Sequence, residues 1–134
     1  MKIGSLIDVV NKLKEHIIAP GWLSSEDMRI VYEISHLTLV PSIYPDPFPT
    51  IILESMQSGT PVVATCFGGA KEAVVNGKTG FVVNPFNVDY FYSRVKEILD
   101  NDELSSYMGK ESKERFDNLF TIENCMKQYT KFIY

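Results

Sequence analysis

Asp46-Pro-Phe-Pro-Thr-Ile-Ile-Leu-Glu54-Ser-Met-Gln-Ser-Gly59-Thr-Pro61-Val-Val-Ala-Thr65 reads as a turn, a helix, a stop and a strand in immediate succession. Pro47 and Pro49 suit a first helical turn, where backbone N–H groups have no intrahelical partner, and Asp46 or a neighbour can cap it. Gly59 supplies the left-handed residue that ends a helix. Pro61–Thr65, apolar and partly β-branched, then reads as a buried strand.

The same alternation continues on both sides. Upstream, Leu37–Val40 is a second strand stopped by Pro41, preceded by a helix that opens at Ser24 or Ser25, carries Glu26 and Asp27 in its first turn, and ends near Ser35. His16–Ala19 is expected to form a further short strand, broken by Pro20-Gly21, and apolar residues at helical spacing predict an amphipathic helix from Met1 to Glu15. Downstream, Gly69–Val75 is a short helix, Asn76-Gly77 a tight turn and Gly80–Val83 a fourth strand. Beyond Asn87 the pattern is helical: Val88–Leu99, Asp102 to about Phe116, and Thr121 to about Phe132. A βα core over about residues 16–99 followed by C-terminal helices over about 102–133 is thus expected, within one domain spanning 1–134. Alternating strands and helices predict an α/β fold, a Rossmann-like parallel sheet with helices on both faces. In such sheets ligands sit beyond the carboxyl ends of the strands, which is where Ser42–Pro49 and Cys66–Gly69 fall.

Glu54 is the chemically notable residue of the quoted stretch. Three and four positions away stand Thr50, Ile51, Gln57 and Ser58, so no cation neutralises it within the helix. Facing a crevice, its carboxylate has the acceptor capacity for two hydroxyl donors, as a vicinal sugar diol offers; facing water, it needs nothing. Gly68-Gly69 leaves room for close backbone approach by a ligand, or makes an ordinary strand-to-helix turn.

Composition excludes several classes. At 134 residues the chain can bury roughly two thirds of its unfolded surface. The net charge of −4 comes with scattered Lys and Arg, not the basic stripe that follows a phosphate backbone, so nucleic acid is not an expected partner. Cys66 and Cys125 lack metal-ligand spacing and suit a reduced, cytoplasmic protein, and His16 and His36 lie in separate segments. No leader-like or membrane-spanning run opens the sequence.

Leu39-Val-Pro-Ser42, Asp46-x7-Glu54, Ser58-Gly-Thr-Pro-Val-Val-Ala64, Gly68-Gly69-x-x-Glu72 and Asn76-Gly-Lys-Thr-Gly-Phe-Val-Val83, in that order, closely resemble the C-terminal, donor-binding domain of GT-B glycosyltransferases of the retaining family 4, the glycosyl transferases group 1. The signature there is usually Glu-x7-Glu; this chain has Asp46 as the first acid and Pro49 where the family commonly has Gly. The resemblance implies a hexosyltransferase-type enzyme that takes a UDP- or GDP-sugar and transfers the glycosyl group with retention. It implies Asp46 and Glu54 as catalytic residues, with Glu54 on the ribose hydroxyls and Asp46 at the donor sugar. It further implies Ser42, Thr50, Ile51, Gly68 and Gly69 as donor contacts, and neither metal nor other cofactor. GT-B enzymes work in a cleft between two such domains, and the resemblance covers the second without its first strand-helix part. An acceptor-binding domain or upstream segment is therefore the implied partner, and the chain alone is expected to be inactive. A non-catalytic nucleotide-sugar-binding or assembly domain, and a GT-B-like sugar-nucleotide epimerase or phosphorylase, are the alternative readings. Between positions 41 and 70 there is no Lys or Arg to meet a diphosphate.

Overall fold

The computed structural model describes residues 3–133. In chain order these form α1 (Ile3–Leu13), a 3-10 turn (Lys14–His16), α2 (Ser25–Ile34), β1 (Thr38–Val40), α3 (Thr50–Gln57), β2 (Val62–Thr65) and α4 (Ala70–Ala73). They continue as β3 (Gly80–Val83), α5 (Val88–Leu99), α6 (Asp102–Leu119) and α7 (Ile122–Ile133). Met1 and Lys2, where the first helix is expected to begin, lie outside the described residues.

Local chemistry sets most of these boundaries. Ser24 caps α2 through a reciprocal box with Asp27: the serine hydroxyl accepts from the Asp27 N–H, and the Asp27 carboxylate accepts from the Ser24 N–H. Asn87 caps α5 by accepting from Tyr90 N–H, and Asn101 caps α6 by accepting from Leu104 N–H. Gly59, at φ 74°, ends α3 as expected.

Two expectations fail. His16 belongs to the 3-10 turn and Ile17 leaves it in extended conformation, but the stretch after it joins no strand, and Ile18 is 90% exposed. Apolar residues in extended backbone become a strand only by pairing with a neighbour, and this stretch does not pair with β1, whose outer edge is open among the described residues. The sheet of the described residues accordingly has three strands. Likewise, α3 starts later than the prolines suggest. Pro49 is its N-cap residue and Pro47 lies outside it, because Phe48, preceding a proline, is sterically driven out of the helical region. Asp46 does not cap the helix; its Oδ1 accepts from Phe48 N–H at 3.0 Å, closing a turn within the loop.

The strands are parallel in the order β1-β2-β3, with Val63 registered against Leu39 on one side and Phe81 on the other. Helices cover both faces. Val62 and Ala64 pack with Ile52 and Met56 of α3 and Ala70, Ala73 and Val74 at α4. Val63, Phe81 and Val83 face the other way, against Ile98 of α5 and Met108 of α6. Burial on both faces explains why β2 begins with three apolar residues in succession, Val62-Val-Ala64, instead of alternating. The long α6 spans both layers: Met108 joins the second cluster, whereas Phe116 packs on the first. Parallel pairing brings the loops after β1 and β2 to one edge of the sheet.

Candidate functional site

The two loops at that edge touch. Gly69 N–H donates to the Asp46 carbonyl at 2.9 Å. A Cβ at Gly68 would stand 1.9 Å from the Asp46 carbonyl oxygen, and one at Gly69 would stand 1.9 Å from that of Pro47. The room left by these glycines is filled by the Asp46–Pro47 backbone, which is the physical reason for two residues without side chains there. Ser42 braces the same loop. Its hydroxyl is engaged with the N–H and carbonyl of Tyr44, and its own carbonyl accepts from Thr65 Oγ1 at 2.5 Å.

From this edge α3 runs back along the sheet. No side chain caps its start, and Ile52 N–H donates to the Pro49 carbonyl. Thr50 and Ile51 supply the preceding N–H groups of the first turn, at the positive end of the helix dipole. Glu54 follows one turn later, ~6 Å along the axis.

Glu54 is exposed and borders a hollow of about 350 Å³ between α2 and α3. Leu23, Ser25, Met28, Arg29 and Tyr32 line one side, and Glu54, Gln57 and Ser58 the other. Asp46, Gly68 and Gly69 are brought together at the strand ends, but none of them lines this hollow; Glu54 meets α2 instead. Tyr32 hydroxyl donates to Glu54 Oε2 at 3.1 Å. Among the described residues Oε1 has no hydrogen-bond or ion-pair partner. The Tyr32 ring is buried, and that burial, reinforced by the adjacent Glu54 charge and the bond to it, pushes the phenol pKa up to about 12.

Reasoning from sequence did not find Tyr32 or Arg29. The signal was present, since Ser25, Met28, Arg29 and Tyr32 recur at helical spacing and so share one face of α2. Arg29 places a cation beside the hollow although 41–70 holds none, and its guanidinium is paired with Glu33 at 2.9 Å. Among the described residues no group of three or more His, Cys, Asp or Glu is arranged to hold a metal ion. No helix among them is long and apolar enough to cross a membrane.

Comparisons with known proteins agree with this architecture. D-inositol 3-phosphate glycosyltransferase of Corynebacterium diphtheriae is 34% identical over 93 residues, 69% of this chain and 22% of that protein. Sucrose-phosphate synthase from Thermosynechococcus elongatus superposes with a TM-score of 0.87 at 28% identity, over 98% of this chain and 32% of its own. Anabaena HepE, solved in complex with UDP, superposes with a TM-score of 0.87 at 21% identity over 98% of this chain and 36% of its own; another of its structures holds UDP-glucose. The chain spans 22% to 33% of the length of the first curated relatives it matches. The parallel sheet with helices on both faces is the GT-B arrangement of these structural neighbours. With the model for glycosyl transferases group 1 matching residues 11–115, the chain belongs to that family.

Proposed function

We propose that this chain binds the nucleotide-sugar donor of a retaining, family 4 glycosyltransferase, taking a UDP- or GDP-activated sugar. The observation that carries the reading is Glu54: a carboxylate on the rim of the α2–α3 hollow, with Oε2 held by Tyr32 and Oε1 unpartnered among the described residues. In this reading Oε1 accepts from the ribose hydroxyls. The volume of about 350 Å³ lies within the usual range of small-molecule sites, and Leu23 and Met28 give the hollow an apolar side for the base. HepE, which shares the fold, binds UDP and UDP-glucose.

The diphosphate then lies toward the start of α3, where Thr50 and Ile51 N–H groups and the helix dipole oppose its charge, while Pro47 and Pro49 have no N–H to offer. Such a helix end contributes only ~0.3–1 kcal/mol at an exposed site, so the isolated chain holds a diphosphate weakly. Asp46 contacts the donor sugar at its reacting face, and Gly68, Gly69 and Ser42 fix the loop that carries it. Catalysis is electrostatic: the departing diphosphate is stabilised while the acceptor hydroxyl arrives on the same face of the sugar. The reaction is assigned no metal, and the chain is assigned to the cytoplasm with an acceptor-binding segment as its partner.

Calorimetric titration of the 134-residue chain with UDP, GDP, UDP-glucose and GDP-mannose tests the reading. Saturable binding of at least one of these, and none of free glucose or mannose, is expected. Absence of binding to all four nucleotides overturns it.

A further inference from the structure

We propose that Tyr32 is a positioning residue for Glu54: its buried phenol fixes Oε2, so that Oε1 is presented to a ribose diol already oriented. This rests on the nucleotide reading above and adds to it a residue that never touches the ligand through its hydroxyl hydrogen.

A glutamate on a helix surface samples several rotamers, and a ligand that uses it must bear the entropy of ordering it. Here the ordering is done in advance by an anchor that is itself immobile. Tyr32 is 5% exposed. Its backbone carbonyl accepts from Thr60 Oγ1 at 2.6 Å and from Ser35 N–H at 3.0 Å. Thr60 is buried in the turn between α3 and β2, and its carbonyl accepts the single hydroxyl hydrogen of Ser55, whose oxygen in turn accepts from Thr38 Oγ1 on β1. The phenol is therefore referenced to the sheet and to the helix that carries Glu54, not to a mobile loop. A tyrosine hydroxyl has one hydrogen to give, and it is given to Oε2. What remains for a ligand is the other carboxylate oxygen, held in place.

A purely structural tyrosine and a positioning one differ in which ligands they affect. Tyr32→Phe keeps the ring and its packing and removes only the hydroxyl. The wild-type and variant chains are titrated with UDP, GDP and the 2′,3′-dideoxy form of each. The wild type is expected to prefer the ribose forms. In the variant the ribose-form affinity falls by about two- to tenfold, the range for ordering one long side chain, while dideoxy affinity is unchanged, so the preference shrinks. In a Glu54→Gln background the same substitution is expected to add no loss of preference, because the group it positions has been altered. An equal ribose-to-dideoxy preference in wild type and Tyr32→Phe overturns the positioning role, even if the variant is less stable, since partial unfolding weakens both ligand forms by one factor. A wild type that binds nucleotides without any ribose preference overturns the Glu54 reading instead, and no binding at all overturns the nucleotide reading.

Discussion

Glu54 and Tyr32 come from helices that the sequence gives no reason to join, and the consequences of their meeting are measurable one residue at a time. Glu54→Gln replaces a charged acceptor with a neutral amide. If Oε1 receives ribose hydroxyls, nucleotide affinity is expected to fall by ~1.5–3 kcal/mol, roughly ten- to a hundredfold, with little change in the urea midpoint of an exposed residue. Calorimetry on both proteins checks this, and equal affinities would remove Glu54 from the site. Tyr32 leaves a separate signature in alkali. Its folded-state pKa is raised from 10.0 to about 12, so the fold favours the protonated phenol. That stabilisation is complete below about pH 10 and is lost as pH rises through about 12, amounting to ~2–3 kcal/mol at most. Lys78 and Lys96 also have raised pKa values, from their contacts with Glu111 and Asp100, so their ion pairs too are lost in alkali, above the ordinary lysine range. The test is therefore a difference: urea unfolding at rising pH is expected to show a steeper loss for wild type than for Tyr32→Phe.

At the scale of elements, the contact that seats α6 on the end of α3 is made by backbone. A Cβ at Gly109 would stand 2.1 Å from the Gly59 carbonyl oxygen and meet Pro61 at 3.7 Å. Alanine at this helical position gains up to ~1 kcal/mol of helix propensity, but overpacking against a backbone oxygen costs ~1–3 kcal/mol, because no flexible side chain can move aside. The steric effect wins. Gly109→Ala is expected to lower stability despite being a better helix former, and to loosen Ser112, whose hydroxyl donates to the Thr79 carbonyl at 2.7 Å one turn further along. A urea midpoint equal to or above that of wild type would show that α6 slides without penalty. The same geometry explains why α6 is not an appendage: it contributes Met108 to the layer under α5 and Phe116 to the layer under α3.

For the whole molecule, the expected behaviour is binding without turnover. Bimolecular transfer depends on holding donor and acceptor together, and the assigned residues account for the donor alone. Incubating the 134-residue chain with UDP-glucose or GDP-mannose and a panel of sugar and polyol acceptors is expected to give no transfer at an enzymic rate. Product formation by the chain alone would contradict this. Nucleotide affinity is expected to be unchanged by EDTA, since the binding assigned here uses N–H groups, a carboxylate and an apolar wall; a loss on chelation would point to a metal bridge to the diphosphate.

Much of this organisation is fixed within short windows of sequence. The Ser24–Asp27 box, the Gly59 stop, the β3 strand and the start of α5 at Val88 each depend on residues within a few positions, so propensity and capping chemistry determine them locally. The βα alternation then dictates parallel strands with the loops after β1 and β2 at one edge, and the ordered motifs dictate the family. What tertiary structure alone decided involves partners far apart in the chain. The stretch after His16 is apolar enough for a strand yet joins none, although the outer edge of β1 is open among the described residues, because pairing is a contact between distant segments that local propensity does not determine. Gly68 and Gly69 read as room for a ligand, and the Asp46–Pro47 backbone occupies it. Glu54 lacks a partner within its own helix, as its sequence neighbours require, but finds one in Tyr32, 22 residues earlier, because packing α2 on α3 fixes distances that no helical spacing encodes.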